Sequence, residues 1–245
     1  YVNYGVREGI FDESYQKLSY EQMTKPVSRS EFVHIFFKAM DSYKTINSVA
    51  DNSIPDVKTT DTYGDEIYTF YRAGILTGSD AAGTFHPTST IVRSEVAAKA
   101  VETFGPLVVN DISAGELDPA MLSVVADCGV PYIAMHMKGD PKTMQSQTDY
   151  RRDIVTEVVG YFRRRTDEML AAGIRRENII LDPGFGFAKT TEQNYELLAG
   201  LHRLCALGYP VLAGLSRKSM IYKVLDATPA ESLAGTVALG WECLR

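Results

Sequence analysis

Four times in its second half the chain runs through a short apolar stretch and then breaks into a polar, glycine-bearing loop. The segments are LVVNDISAG (107–115), YIAMHMKGDP (132–141), IILDPGFGFAK (179–189) and PVLAGLSRKS (210–219). A short continuous apolar run is what a strand covered on both faces requires, and parallel strands need helical crossovers between them. The spacing predicts strands over 107–109, 132–135, 179–181 and 210–213, and helices over 119–128, 153–172, 193–206 and 231–244. Such alternation builds right-handed βαβ units whose working residues gather at the carboxyl ends of the strands, where these loops begin. In the longest helix Ile154, Val158 and Phe162 line one stripe with Val155 and Val159 beside it. Arg163, Arg164, Arg165, Asp167 and Glu168 are expected to face water. The second half therefore reads as α/β, a partial (β/α)8 barrel of about four parallel strands. Four strands cannot close an eight-stranded barrel, so both sheet edges are expected to stay open.

Residues 1–92 follow a different pattern, a helical repeat. Gly9-Ile10 precedes Arg29 by twenty residues, and Gly74-Ile75 precedes Arg93 by nineteen. Each copy reads as helix, glycine stop, polar loop and helix. Ile67, Phe70 and Tyr71 share one helical face, and Gly74 is placed to end that helix in a left-handed cap. Ser28 to Glu31 is a capping box; the second copy has Val92 at the equivalent place, so Thr90 is the candidate cap there. The signature Ser53-Ile-Pro-Asp-Val57, Gly83-Thr-Phe-His-Pro87 and the Arg-Ser-Glu that opens each second helix resembles the S-layer homology module of bacterial surface proteins. The first copy lacks its opening. That resemblance implies an all-α unit that binds cell-wall polysaccharide, with Arg29 and Arg93 as candidate contacts; each arginine also reads as a solvated first-turn residue.

Composition narrows the class. With 45% hydrophobic and 23% charged residues the chain can bury a sizeable core. A net charge of −6 argues against nucleic acid as the partner. The 9 basic and 13 acidic side chains of residues 1–98 leave 16 and 18 for the rest, so neither half is a basic patch. No apolar stretch approaches the ~18 residues of a membrane span. Cys128, Cys205 and Cys243 are scattered, without a CxxC, and read as reduced, buried structural thiols, which favours the cytoplasm over the cell surface.

Taken together, the four strand-end loops resemble those of dihydropteroate synthase, over about residues 93–245. That resemblance implies an enzyme of folate biosynthesis, condensing a 6-hydroxymethyl-7,8-dihydropterin diphosphate with p-aminobenzoate. It also implies magnesium, carried on the substrate's diphosphate. Carried over by position, Asn110, Asp182 and Lys218 meet the pterin ring and Met135 packs on its face. Phe187 lies against p-aminobenzoate, with Lys218 and Ser219 near its carboxylate, and Gly186 and Gly214 complete the substrate lining. Lys218 and Asp182 are the expected catalytic pair. Arg217 reads equally as an anion contact or a structural ion pair. Singly, Asp182 before Pro183 also reads as a helix N-cap and Asn110 as a turn former. The family segments that hold most of the diphosphate and magnesium contacts are not among these residues, so turnover by this chain is expected to be impaired. The two resemblances meet inside residues 93–98 with no linker, as in a splice or chimera. An alternative function is therefore a wall-binding protein with the barrel half as passenger. Open sheet edges could also pair two copies.

Other motifs lead nowhere. The run from Gly184 to Thr190 lacks GxxxxGK[ST] and is no phosphate loop. Met135-His136-Met137 reads as a core-lining strand end rather than a soft-metal site. Ser216 lacks the GxSxG elbow. His34, His86 and His202 stand alone in the sequence and read as structural or solvated.

Overall fold

The computed structural model of the protein describes residues 2–19, 22, 26–39, 42–139 and 146–244. It divides into two compact units, Tyr1–Thr103 and Phe104–Arg245. The division falls at the last residue of the helix Arg93–Phe104.

In the first unit the described helices are α1 (Val2–Arg7), α2 (Arg29–Lys38), α3 (Gly64–Arg72) and α4 (Arg93–Phe104), with a 3-10 turn at Glu13–Lys17. Ser28 caps α2 as its spacing implies. Its Oγ accepts from the Glu31 amide at 3.2 Å while Glu31 Oε2 accepts from the Ser28 amide at 2.9 Å, a box worth about 1 kcal/mol. Gly74 ends α3 at φ +73°, where a Cβ would be strained. Ile67, Phe70 and Tyr71 are buried with Val33, Val57, Leu76 and Phe85 in one core. The two copies of the repeat meet at their helix starts, through an antiparallel bridge between Ser28 and Thr90. Beside it the Arg29 amide donates to Ser89 O at 2.8 Å. His34 does not stand alone: its Nδ1 lies 2.8 Å from Glu66 Oε2 and its ring stacks on Tyr63. His86 and His202 are exposed.

The second unit is built on three parallel strands in the order β1-β2-β3: β1 (Val109–Asp111), β2 (Tyr132–Met135) and β3 (Ile179–Asp182). Its helices are α5 (Met121–Cys128), α6 (Ile154–Ala171), α7 (Thr191–Ala199), α8 (Leu201–Cys205), α9 (Ser219–Tyr222) and α10 (Leu233–Glu242). The fourth expected strand, 210–213, is reduced to one parallel bridge between Leu181 and Val211. It starts with a proline and takes its only described ladder bonds from Leu181, so one side alone holds it. The first strand begins two residues later than expected. Leu107 and Val108 stay exposed, and pairing starts where the Val109 amide reaches Pro131 O at 2.9 Å.

The helix expected over 193–206 is two helices. They break at Gly200, where a Cβ would lie 2.5 Å from Val155 Cγ2, so the backbone itself packs on α6. On α6 the apolar stripe is buried as expected, but Arg165 is buried with it. It sits three residues past Phe162, on the same face, and its guanidinium bonds Ala114 O and Glu168. The cysteines are not core residues either: Cys128 and Cys243 are half-buried and Cys205 is exposed, all as free thiols. No helix among the described residues is long and apolar enough to cross a membrane.

The sheet has two unlike faces. Strand residues alternate sides, and paired residues of parallel strands share a side. Asp111, Tyr132, Ala134, Ile179 and Leu181 form one face and are fully buried. Asn110, Ile133 and Ile180 lie on the other, exposed or half-buried. That open face ends, at the carboxyl side, in Met135 and Asp182.

Candidate functional site

Met135 and Asp182 are register partners at the last rung of β2 and β3, and both are buried. Asp182 does not cap a helix. Its Oδ1 accepts from the Gly184 amide at 2.8 Å in a tight turn, and the next helix begins at Thr191. Gly184 sits at φ +69°, and a Cβ there would be driven into the His136 carbonyl oxygen. The loop after β3 therefore folds back over the end of β2, carrying Gly186 and Phe187 with it.

Lys218, just before α9, reaches into the same place. Its Nζ is 4.6 Å from the centroid of the Phe187 ring, and its Cδ lies 3.5 Å from where a Gly186 Cβ would stand. Burial holds the Asp182 carboxyl above its ordinary range, against the pull of the Gly184 amide, Lys218 and Lys189. Burial pushes the Lys218 amine down, and Asp182 draws it back. A carboxylate acceptor, an ammonium donor, a thioether and an aromatic ring are thus assembled at one strand end. This set suits a flat heterocycle with both N–H groups and ring acceptors.

Not every expected residue joins that cluster. Asn110 lies on the same face of the sheet but on β1, with β2 between it and Asp182. It is part of a strand, not a turn. Ser219 is the first residue of α9, and Gly214 lies half-buried in the loop that leads to it. Arg217 is exposed, in a left-handed backbone at φ +51°, with its amide donating to Thr236 Oγ1 at 3.1 Å. In the first unit Arg29 is turned inward: its Nε donates to Phe85 O at 2.8 Å and its guanidinium pairs with Glu95. Arg93 is exposed.

Two residues that carry this geometry were not singled out from sequence. Lys189, only 5% exposed, places its Nζ 3.0 Å from both Gly184 O and Phe187 O and 2.9 Å from His136 Nδ1. Burial pushes its amine down to about 7. Asn194 Oδ1 accepts from the Gly186 amide at 2.7 Å. The signal for both was a lone lysine closing the glycine loop immediately before a Thr-x-x-Gln capping box, which the structure forms between Thr190 and Gln193. His136 is buried and held neutral by burial and by Lys189. No three His, Cys, Asp or Glu side chains converge on a metal position among the described residues. A cavity of about 540 Å³ is lined by His136, Tyr150, Tyr161 and Arg164, and Asp182 is not part of its lining.

Residues 91–245 match the family profile described as pterin binding enzyme. The dihydropteroate synthase of Haemophilus influenzae is 45% identical over 130 residues, 53% of this chain and 46% of the relative. That of Synechocystis is 47% identical over 154 residues, 62% of this chain and 52% of the relative. The crystal structure of dihydropteroate synthase from Thermus thermophilus in complex with 4-aminobenzoate superposes with a TM-score of 0.58 at 38% identity, covering 62% of this chain and 58% of that one. The chain spans about half the length of the curated relatives it matches. The matched stretch contains all three strands and every side chain of the cluster around Asp182 and Lys218, so the chain belongs to the pterin-binding enzyme family.

Proposed function

We propose that the second unit is the pterin- and p-aminobenzoate-binding part of a dihydropteroate synthase, a transferase of folate biosynthesis. The observation that carries this reading is the meeting of Asp182, Lys218, Met135 and Phe187 at one strand end. In the reaction the p-aminobenzoate nitrogen attacks the pterin's exocyclic methylene carbon. The carbon–oxygen bond to diphosphate breaks, the electron pair leaves with that oxygen, and the nitrogen gives up a proton. Asp182 would accept from the pterin's amino and ring N–H groups, while Lys218 donates to a ring acceptor and Met135 packs on the ring face. Phe187, beside Lys218, would take the aromatic ring of p-aminobenzoate, the kind of ligand that the similar Thermus structure holds. Catalysis here is positioning and charge stabilisation, with no nucleophilic side chain.

Magnesium enters only as a companion of the substrate's diphosphate. The described residues offer no cage for it, and Asp182 already spends one oxygen on Gly184. Asn110, Gly214, Arg217 and Ser219 are the candidates for the outer parts of the site. Because the segments that the family resemblance assigns to the diphosphate and magnesium are not among the residues of this chain, pterin binding with impaired turnover is the expected combination. The wall-polysaccharide reading of the first unit draws no support from Arg29, which is occupied internally.

Calorimetric titration with 6-hydroxymethyl-7,8-dihydropterin diphosphate tests the proposal. Asp182→Asn should weaken binding at least about tenfold, the loss of a charged hydrogen bond worth ~1.5–3 kcal/mol. Wild-type heat of binding that Asp182→Asn leaves unchanged would remove the pterin from this position.

A further inference from the structure

We infer that Lys189, acting with His136, is the positioning residue for the amine-substrate half of the site: it holds loop 183–189 in the conformation that sets Phe187 beside Lys218. This rests on the pterin and p-aminobenzoate reading above. The loop is conformationally expensive. Gly184, Gly186 and Ala188 take φ values of +69°, +82° and +51°, and for the alanine a left-handed backbone is strained. Such a shape persists only where its surroundings impose it.

The imposition comes largely from one amine. Lys189 Nζ bonds the carbonyls on either side of Gly186, from Gly184 and from Phe187, each at 3.0 Å. Its third partner is His136 Nδ1, on the segment leaving β2, so the loop after β3 is tied across to the neighbouring strand end. Tyr150 Oη adds a bond to Ala188 O at 2.8 Å, and Asn194 takes the Gly186 amide. Two carbonyls and one imidazole nitrogen use up the amine in either protonation state, as three donors when charged or as two donors and a lone pair facing the ring nitrogen when neutral, so Lys189 has nothing left for a ligand. Its influence passes on through contact. Gly184 donates to Asp182 Oδ1, and the Phe187 ring lies against Lys218 Nζ. A lysine this deeply buried is costly unless every donor is met, and a thioether would fill the same volume without drawing the two carbonyls to one point.

The test uses the full chain and three variants: Lys189→Met, His136→Leu and His136→Asn. Asparagine keeps an acceptor near the place of imidazole Nδ1, whereas leucine removes it. Dihydropterin diphosphate is titrated first, then p-aminobenzoate into the saturated protein. Lys189→Met and His136→Leu should keep pterin affinity within about threefold yet bind p-aminobenzoate about tenfold more weakly, with His136→Asn close to wild type. Unchanged p-aminobenzoate affinity, equal loss of both ligands, or no difference between the leucine and asparagine variants would overturn the inference. Should Lys189→Met not fold, the two His136 variants decide alone. Wild-type protein that binds no pterin diphosphate defeats the functional reading instead. Hydrogen exchange of the ligand-free protein then judges the loop. The Gly186 and Phe187 amides should exchange at least about tenfold faster in Lys189→Met, with β3 unaffected; equal exchange counts against positioning.

Discussion

At Lys189 the local chemistry leaves a mark on stability that pH can read. In the unfolded chain this amine holds its proton to about pH 10, whereas in the fold burial brings it down to about 7. Between those values the unfolded state binds the extra proton, so stability rises with pH across the window and the penalty is fully present below 7. The slope from this one group approaches about 1.4 kcal/mol per pH unit. Urea denaturation at pH 7, 8 and 9 should show wild type gaining on Lys189→Met at every step; parallel pH curves for the two proteins would contradict the assignment. Met135 and Asp182 were legible as positions because each closes an apolar run, whereas Lys218, five residues beyond the expected strand, was reached only through the resemblance of its loop. Lys189 and Arg165 were not legible. A cation that folds back onto carbonyls two and five residues earlier, or one that rides the buried stripe of a helix, looks in sequence like any solvated charge.

Elements were read well in kind and less well in extent. All three paired strands and the long helix α6 fall within two residues of where periodicity puts them, because burial on both faces leaves an unmistakable apolar run. The break between α7 and α8 was invisible, since it comes from Gly200 meeting Val155 of another helix. Glycines in the loop after β3 make a sharper test of the same kind. Gly184→Ala combines a left-handed φ with a methyl forced onto the His136 carbonyl and should cost roughly 3 kcal/mol or more. Gly186→Ala meets only the flexible stem of Lys218 at 3.5 Å, so about 1 kcal/mol of backbone strain is expected. Thermal melts of the two variants should differ by several degrees in that order; equal melting temperatures would mean the loop is not clamped on β2.

For the second unit as a whole, the consequence is unpaired surface. Three ladder-paired strands leave edges, and Leu212, Leu233, Val237 and Trp241 are exposed on or near the β3 side, at 40, 57, 64 and 65%. Val211, Val237 and Trp241 also line an apolar cavity of about 670 Å³ there. The chain should therefore self-associate at about 1–100 μM in sedimentation velocity. The double change Val237→Lys and Trp241→Lys should shift it toward monomer without altering pterin affinity. A wild-type chain that sediments as a monomer throughout would show that the exposed side is benign.

By itself the sequence determined the α/β class of the second half, the helical repeat of the first, and the strand ends at which chemistry could gather. Each of these is written in local terms: a period, a cap, a run of apolar side chains. Only the tertiary structure decided that the fourth strand shrinks to a bridge, that Arg29 and Arg165 are spent inside, and that a buried lysine governs the loop beside Asp182. Those outcomes depend on which distant backbone carbonyls and side chains arrive next to a residue, and neighbours separated by the fold leave no spacing to be read along the chain.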